Sequence, residues 1–282
     1  MSSRSENGVG AVAPGLDREP LPESTLAELH EIVARYPQRR SALLPMLHLL
    51  QSVEGRVTAR GIEVCATILG LSAADVSGVA TFYTMYKRRP VGDYHVGVCT
   101  NTLCAVMGGD VIFERLKDHL GVGNDETTAD DGAGKSITLE HLECNAACDY
   151  APVMMVNWEF MDNMTPQSAT ALVDDLRAGR AVRSTRGPRI CTWREAERVL
   201  AGFPDDLADD GPAGGPATLV GLQIAREKGW RAPEAARPEV STGSTTGEDS
   251  KAAAADAADT SRAASETELD ESPTDVEGGK KT

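Results

Sequence analysis

Apolar residues recur at helical spacing through the first part of the chain. Between residues 23 and 90, four stretches carry an apolar residue at every third or fourth position, which is the period of an amphipathic helix. Ser72 with Asp75 forms a capping box before the fourth stretch, and we expect Thr25 with Glu28 to cap the first. Four short helices in succession predict a small helical bundle.

The pattern changes to alternation between residues 91 and 187. Short runs rich in Val, Ile and Met predict strands over residues 94–99, 136–142, 153–156 and 158–161. Helical periodicity predicts one helix over residues 106–120 and another that starts at Thr165, with Pro166 in its first turn. This order of strands and helices is typical of a small α/β sandwich, so the whole chain is predicted to be an α+β protein.

The regular pattern ends after this second region. Residues 188–232 contain two more amphipathic stretches, around Trp193 and from Leu219 to Trp230, which predict a partly ordered extension. Residues 233–282 carry twelve Asp and Glu against five Lys and Arg, a net charge of −7, and no aromatic residue. Such a composition cannot offset the entropy of ordering, so we predict a disordered acidic tail. Residues 1–22 are predicted to be a flexible N-terminus.

Charge and hydropathy argue against two classes of function, nucleic-acid binding and membrane insertion. The chain has a formal net charge of −15 and no basic stripe with interleaved aromatic residues, which argues against nucleic-acid binding. No apolar run has the length that a membrane span requires, and the N-terminus lacks the apolar run of a signal peptide. We therefore expect a cytoplasmic chain without direct membrane insertion. In that compartment its six cysteines favour metal or redox chemistry over disulfides.

Four of the cysteines form two pairs, and each pair directly follows a predicted strand. Cys99 and Cys104 lie in the sequence CTNTLC, while Cys144 and Cys148 lie in CNAAC. If the two strands are neighbours in one sheet, both pairs leave it at the same edge. The four thiolates can then converge on one site.

The spacing of the pairs bears on what this site holds. Zinc and iron both accept four thiolates in tetrahedral geometry, but zinc sites usually have two residues between the ligands of at least one pair. The intervals here are four and three residues, which better suit a binuclear iron cluster that takes two thiolates on each iron. A structural zinc site remains the alternative. Loop residues such as Asn101, Asn145 and Ala146 let backbone N–H groups approach sulfur.

Acidic residues flank the strand ends. We expect Asp93, Glu143 and Asp149 to lie close to the cluster, where their charge would disfavour its reduced, more negative state. Ordinary solvated carboxylates at strand ends are an equally good interpretation of all three.

The remaining candidates are interpreted as structural. Cys65 falls on the apolar face of a predicted helix and is expected in the core, and Cys191 is distant from the pairs. His95 and His141 lie on strands and are interpreted as ordinary strand residues, because four cysteines already supply a full ligand set.

The two cysteine motifs on this strand–helix–strand background resemble the thioredoxin-like [2Fe–2S] ferredoxin family. Together with the helical region and the sequence GVATFYTMY at Gly78–Tyr86, they also resemble the E-subunit family of bacterial NADH–quinone oxidoreductases, the respiratory complex I. The resemblance covers about residues 23–187. It implies a thioredoxin-like fold for residues 91–187 and one [2Fe–2S] cluster whose ligands are Cys99, Cys104, Cys144 and Cys148.

The resemblance also implies a function. A member of this family carries one electron in the NADH-oxidising module of a proton-translocating complex and exchanges it with the flavin of a partner. FMN and NADH are then expected on that flavin-binding partner, and the large iron–sulfur subunit is a second partner. No G-x-G-x-x-G motif or P-loop occurs in the predicted folded region, so this chain has no complete active site of its own.

Its expected location is the peripheral arm, at the inner face of the plasma membrane. The same module occurs in soluble NAD-linked hydrogenases and formate dehydrogenases, which remain open as hosts.

Overall fold

The computed structural model describes residues 20–129, 132, 134–207, 209–211 and 214–231. Helices come first along the chain and a mixed sheet follows, so the predicted α+β class is confirmed. The described residues up to Lys228 belong to one compact unit. Most of the predicted flexible N-terminus, residues 1–19, and the whole predicted acidic tail, residues 233–282, lie outside the described residues.

The N-terminal region folds into four helices as predicted. They are α1 (Glu23–Ala34), α2 (Leu43–Glu54), α3 (Ala59–Leu69) and α4 (Ala73–Phe82), with a 3₁₀ turn at Arg39–Ala42 before α2. The Ser72–Asp75 capping box is present at the start of α4. The expected cap at Thr25 is wrong, because α1 already begins at Glu23, whose carboxylate suits the positive end of the helix. Thr25 is instead buried within the first turn.

The second region forms a five-stranded sheet in the order β2–β3–β1–β4–β5. Its strands are β1 (Tyr94–Cys99), β2 (Glu126–Thr127), β3 (Ile137–Leu142), β4 (Met154–Val156) and β5 (Glu159–Met161). β1 and β3 are parallel, and all other neighbours are antiparallel. The short strand β2 lies between the predicted helix 106–120 and the predicted strand 136–142, where the sequence pattern predicts no strand.

Three helices accompany the sheet: α5 (Thr102–Val106), α6 (Gly109–Leu120) and α7 (Pro166–Arg177). Apolar side chains of α6 and α7 pack with one face of β1, β3, β4 and β5 to form the second core. The helix predicted over residues 106–120 is present as α6 and starts three residues later, at Gly109, while the short helix α5 precedes it. Gly108, at φ 109°, separates the two helices, because this left-handed conformation is readily available to glycine.

A helix from the extension covers the other face of the sheet. α8 (Trp193–Leu200) packs against α2, and its fully buried Trp193 stacks near His95 of β1 with 5.5 Å between ring centroids. The buried carboxylate of Glu197 lies 2.6 Å from His48 Nδ1 and accepts a hydrogen bond from Gln51 Nε2 at 2.7 Å. The extension therefore joins the helical region to the sheet.

The last described helix is α9 (Pro216–Glu227), whose side chains remain largely exposed. Among the described residues, no single helix is long and apolar enough to cross a membrane. In the described part of the chain, one pair of helices, α3 and α4 with a bend of 120° between them, reaches the required length and apolar content when taken together.

Candidate functional site

The two cysteine pairs follow adjacent parallel strands. Cys99 is the last residue of β1 and is aligned with Leu142, the last residue of β3. The amide of Thr100 donates to the carbonyl of Leu142 at 3.3 Å, which keeps the two chains together beyond the strands. The expectation that the two strands are neighbours and release both cysteine pairs at one edge is therefore confirmed.

The first pair lies on the turn between β1 and α6. Cys99 and Cys104 are both buried, and Cys104 sits on the short helix α5. A Cβ atom on Gly109 would lie 2.5 Å from the carbonyl oxygen of Cys99 and 2.9 Å from that of Cys104. Only glycine allows the start of α6 to pack this closely against the turn, so Gly109 fixes the position of the pair.

The second pair lies on a more exposed loop. Cys144 and Cys148 are exposed, and Cys148 begins a 3₁₀ turn that ends at Tyr150. Ala146 has a positive φ of 52°, and its N–H donates to Cys144 Sγ at 3.3 Å. The loop thus already points one backbone donor at a cysteine sulfur, as a negatively charged thiolate site requires.

The two pairs influence each other. Burial is the main cause that raises the pKa of Cys104 to about 11; a backbone hydrogen bond with Val153 opposes it, and the neighbouring Cys99 and Cys148 thiols add to it. The pKa of Cys148 is also raised, mainly by its hydrogen bond with Cys144. Partial burial and the charges of the Cys144 and Cys99 thiolates raise it as well. All four cysteines are free thiols, and the two pairs lie at the same end of β1 and β3, close enough for Cys148 to influence Cys104.

One buried donor in this region has no acceptor. Asn145 lies between Cys144 and Cys148, and its Nδ2 atom is buried without a hydrogen-bond partner among the described residues. Leaving a buried amide unsatisfied costs about 1–3 kcal/mol. A sulfur-rich group held by the adjacent cysteines would supply the missing acceptor.

The three acidic residues expected near the site have different surroundings. Glu143 lies at the cysteine edge, where it accepts a hydrogen bond from Asn101 Nδ2 at 2.6 Å. Asp149 directly follows Cys148. Asp93 precedes β1 and therefore lies at the opposite end of that strand, where it binds Ser136 N at 2.8 Å and Lys135 Nζ at 3.0 Å. The expectation that Asp93 is close to the cluster is wrong, because Asp93 lies at the start of β1 and the cysteine site lies at its end.

Cys65 and Cys191 take no part in the cysteine cluster. Burial raises the pKa of Cys65 to about 12, in line with its predicted core position. The pKa of Cys191 rises to about 11, mainly through burial.

The two histidines differ in their surroundings. His95 is buried with its Nε2 atom 2.7 Å from Glu140, whereas His141 is exposed. Neither is brought into the group of four cysteines.

An exposed apolar surface borders the first pair, and the sequence pattern does not predict it. It is formed by Leu103 and Val106 on α5, Met107 directly after α5, and Val111 on α6, which together we call the α5–α6 patch. Val106 is 80% exposed and Val111 is 60% exposed. Contiguous apolar surface of this kind marks interaction sites in soluble proteins.

Comparison with known proteins gives several matches. The model of the family described as thioredoxin-like [2Fe-2S] ferredoxin matches residues 29–177, more than half of the chain. The E-subunit of NADH-quinone oxidoreductase from Mycobacterium tuberculosis is 58% identical over 217 residues, covering 75% of this chain and 84% of that protein. The E-subunit of NADH-quinone oxidoreductase from Rickettsia bellii is 36% identical over 158 residues, covering 55% and 92% respectively.

A solved structure of a NAD+-reducing [NiFe]-hydrogenase in the air-oxidized state gives a weaker likeness. It shares 20% sequence identity with a TM-score of 0.43, over 49% of this chain and 23% of the hydrogenase chain. At this TM-score and identity the likeness carries no conclusion about function.

Proposed function

Because the chain belongs to the thioredoxin-like [2Fe–2S] ferredoxin family and to the E-subunit family of NADH–quinone oxidoreductases, we propose that it holds one [2Fe–2S] cluster on Cys99, Cys104, Cys144 and Cys148. As a member of these families it is one component of an oxidoreductase complex. Its role in that complex is to take up and release one electron. The cluster, when bound, supplies this one-electron chemistry.

The observation that carries this proposal is the arrangement of the thiols as two pairs. Cys104 is in contact with Cys99, and Cys148 is in contact with Cys144, while Cys148 also influences Cys104 across the gap. Two separate pairs on one edge match a cluster that takes two thiolates on each of two irons.

The chain itself contributes the environment of the metal site. Burial of Cys104 disfavours its bare thiolate, so iron binding must replace the proton there. The Ala146 N–H and the buried Asn145 amide supply donors for negatively charged sulfur. Glu143 holds the side chain of Asn101 and so ties the loop of the first pair to that of the second.

We assign residues 91–187 to the cluster-binding domain and residues 23–90 to the helical domain. The flavin-binding subunit, which would carry FMN and NADH, and the large iron–sulfur subunit are the proposed partners. The α5–α6 patch, directly beside Cys104, supports docking of the flavin-binding subunit close to the cluster. The proposed location is the cytoplasmic, peripheral arm of the complex.

Electron paramagnetic resonance on the purified chain, reduced with dithionite, tests the cluster. We expect a rhombic signal and about two irons and two sulfides per chain. Cys144→Ser should disturb the signal and the iron content, whereas Cys191→Ser, outside the group, should leave both unchanged. One zinc per chain and no signal would instead make the chain a zinc-stabilised scaffold. Unchanged iron content in Cys144→Ser would refute the ligand assignment.

A further inference from the structure

A buried arginine beyond the family-matched residues 29–177 lies against the cysteine loop. The Arg186 side chain is only 10% exposed. Its Nη2 atom donates to Asp162 Oδ1 at 2.7 Å, and its Nη1 atom lies 3.6 Å from Asp149 Oδ2. Asp149 is the residue after Cys148. Removing either carboxylate would leave an uncompensated charge in a buried position, which is costly, so the ion pairs hold the Arg186 side chain in place.

The first turn of α9 completes this bridge. Thr218 accepts a hydrogen bond from Arg186 Nη1 at 3.4 Å, and its hydroxyl donates to the carboxylate of Asp149. The Thr218 hydroxyl is the main cause that lowers the pKa of Asp149. Successive hydrogen bonds therefore connect Arg186 through Thr218 to Asp149, the residue beside Cys148.

A second contact fixes α9 to the same loop. The N-cap of α9 is Gly215, which has no side chain to cap the helix, and the N–H of Ala217 instead donates to the hydroxyl of Tyr150 at 3.3 Å. A Cβ atom on Gly215 would lie 2.1 Å from that hydroxyl. Glycine is therefore required for Tyr150 to reach the helix end.

Arg186 also reaches the first cysteine pair through an aromatic ring. Its guanidinium carbon lies 4.4 Å from the centroid of the Phe160 ring, which is within cation–π distance. Phe160 packs against the apolar cluster that contains Cys99 and Cys104. The arginine is thus linked to both sides of the cysteine site.

We propose that Arg186, Thr218 and the first turn of α9 act as a brace that holds the Cys144–Cys148 loop in its ligand-binding conformation and slows loss of the cluster. Arg186 and Thr218 are positioning residues, since they act through Asp149 and Tyr150. The exposed loop, with its positive φ at Ala146, is the part of the site that local opening would release first. This inference rests on the proposed [2Fe–2S] cluster.

Iron release from the holo-chain to an excess of a ferrous chelator tests the brace. We expect Thr218→Val to release iron about tenfold faster than the wild type, the factor that corresponds to about 1.4 kcal/mol. Thr218→Ser keeps the hydroxyl and should restore the wild-type rate. Arg186→Gln should release iron at least as fast as Thr218→Val.

Thr170→Val is the matched control, because the Thr170 hydroxyl donates to the carbonyl of Pro166 within α7. It should release iron at the wild-type rate. A wild-type release rate in Thr218→Val, with two irons bound at the start, would overturn the brace and leave the cluster assignment intact. A wild-type chain that binds no iron would overturn the proposed function itself.

Discussion

The four cysteines are not equivalent at the level of single residues. Cys99 at the end of β1 and Cys104 on α5 are buried, whereas Cys144 and Cys148 are exposed on the loop after β3. A cluster held by all four would have one protected side and one side facing solvent or a partner. Its properties should therefore depend most on the few polar groups of the second loop.

Asn145 is the polar side chain in that loop whose role can be tested directly. Its buried Nδ2 atom lacks a partner among the described residues, so we expect it to donate to sulfur in the loaded protein. Hydrogen bonds to sulfur favour the reduced, more negative cluster. Asn145→Leu should therefore lower the reduction potential, on the order of 20–60 mV for one hydrogen bond. Redox titration followed by electron paramagnetic resonance measures the shift.

Asn101→Leu is the appropriate control for this substitution. Asn101 lies in the loop of the first pair, but its amide already donates to Glu143 at 2.6 Å. Its replacement should change the potential less than that of Asn145. An equal shift in both variants would mean that loop packing, rather than a hydrogen bond to sulfur, sets the potential.

The sequence predicts the four cysteines of the site but not the residues that hold the cysteine loops in position. Cysteine spacing places Cys99 and Cys104 after one strand, and Cys144 and Cys148 after another, because both pairs are local features. Arg186 lies 37 residues after Asp149 in the numbering, and no local pattern connects the two. Contacts of this kind are made by the tertiary fold, so they became visible only in the structure.

For secondary-structure elements too, the sequence predicts local helices and strands but not the contacts between distant elements. Helical periodicity predicts a helix from residue 106 to residue 120, yet α6 begins only at Gly109, after the left-handed Gly108, and Cys104 lies on the separate short helix α5. The stretch around Trp193 is predicted as a helix, and α8 confirms it. Its partner, α2, could not be predicted, because it precedes α8 by more than a hundred residues.

A buried ion pair links β3 to the segment between α4 and β1. One oxygen of Glu140 lies 2.7 Å from both His95 Nε2 and Lys87 Nζ. Burial alone would raise the pKa of Glu140, but the hydrogen bonds and charges of His95 and Lys87 outweigh it and lower the pKa below 4.5. The stabilisation is therefore complete above pH 4.5 and is lost as the pH falls through the lowered pKa.

Glu140→Gln should lower the free energy of unfolding by about 1.5–3 kcal/mol at neutral pH. The difference from the wild type should shrink as the pH falls below 4.5 towards the lowered pKa of Glu140, because the carboxylate is protonated first in the unfolded chain. Urea unfolding of both chains over this pH range measures the effect. Glu114→Gln, which removes an exposed partner of Lys117, should cost less than about 1 kcal/mol at any pH. A difference that stays constant with pH would contradict the assignment.

On the scale of the whole molecule, the extension binds the two predicted regions into one unit. Glu197 of α8 accepts from Gln51 of α2 and from Trp158 beside β5, so one carboxylate contacts both regions. The family is predicted from two cysteine motifs, and its match to residues 29–177 confirms it. The way in which residues beyond 177 unite the helices with the sheet was not predictable from those motifs.

The position of the cysteine site at the edge of this unit suits exchange of electrons with a neighbouring subunit. The α5–α6 patch flanks Cys104, and its most exposed residue, Val106, is 80% accessible to a partner. The fully buried centre of an interface is more apolar than the rest of the protein surface, and methionine is enriched there. We expect Val106→Asp to weaken binding of the flavin-binding subunit by about tenfold or more, since a buried unpaired charge is costly.

The cluster signal and the fold of Val106→Asp should remain those of the wild type, because Val106 points into solvent in the isolated chain. Val199→Asp, on the exposed side of α8, is the matched control and should bind normally. Pull-down of the flavin-binding subunit, followed by titration, distinguishes the two. Equal binding by both variants would move the interface away from α5 and α6. The exposed Cys144–Cys148 loop would then be the side of the site through which the partner approaches.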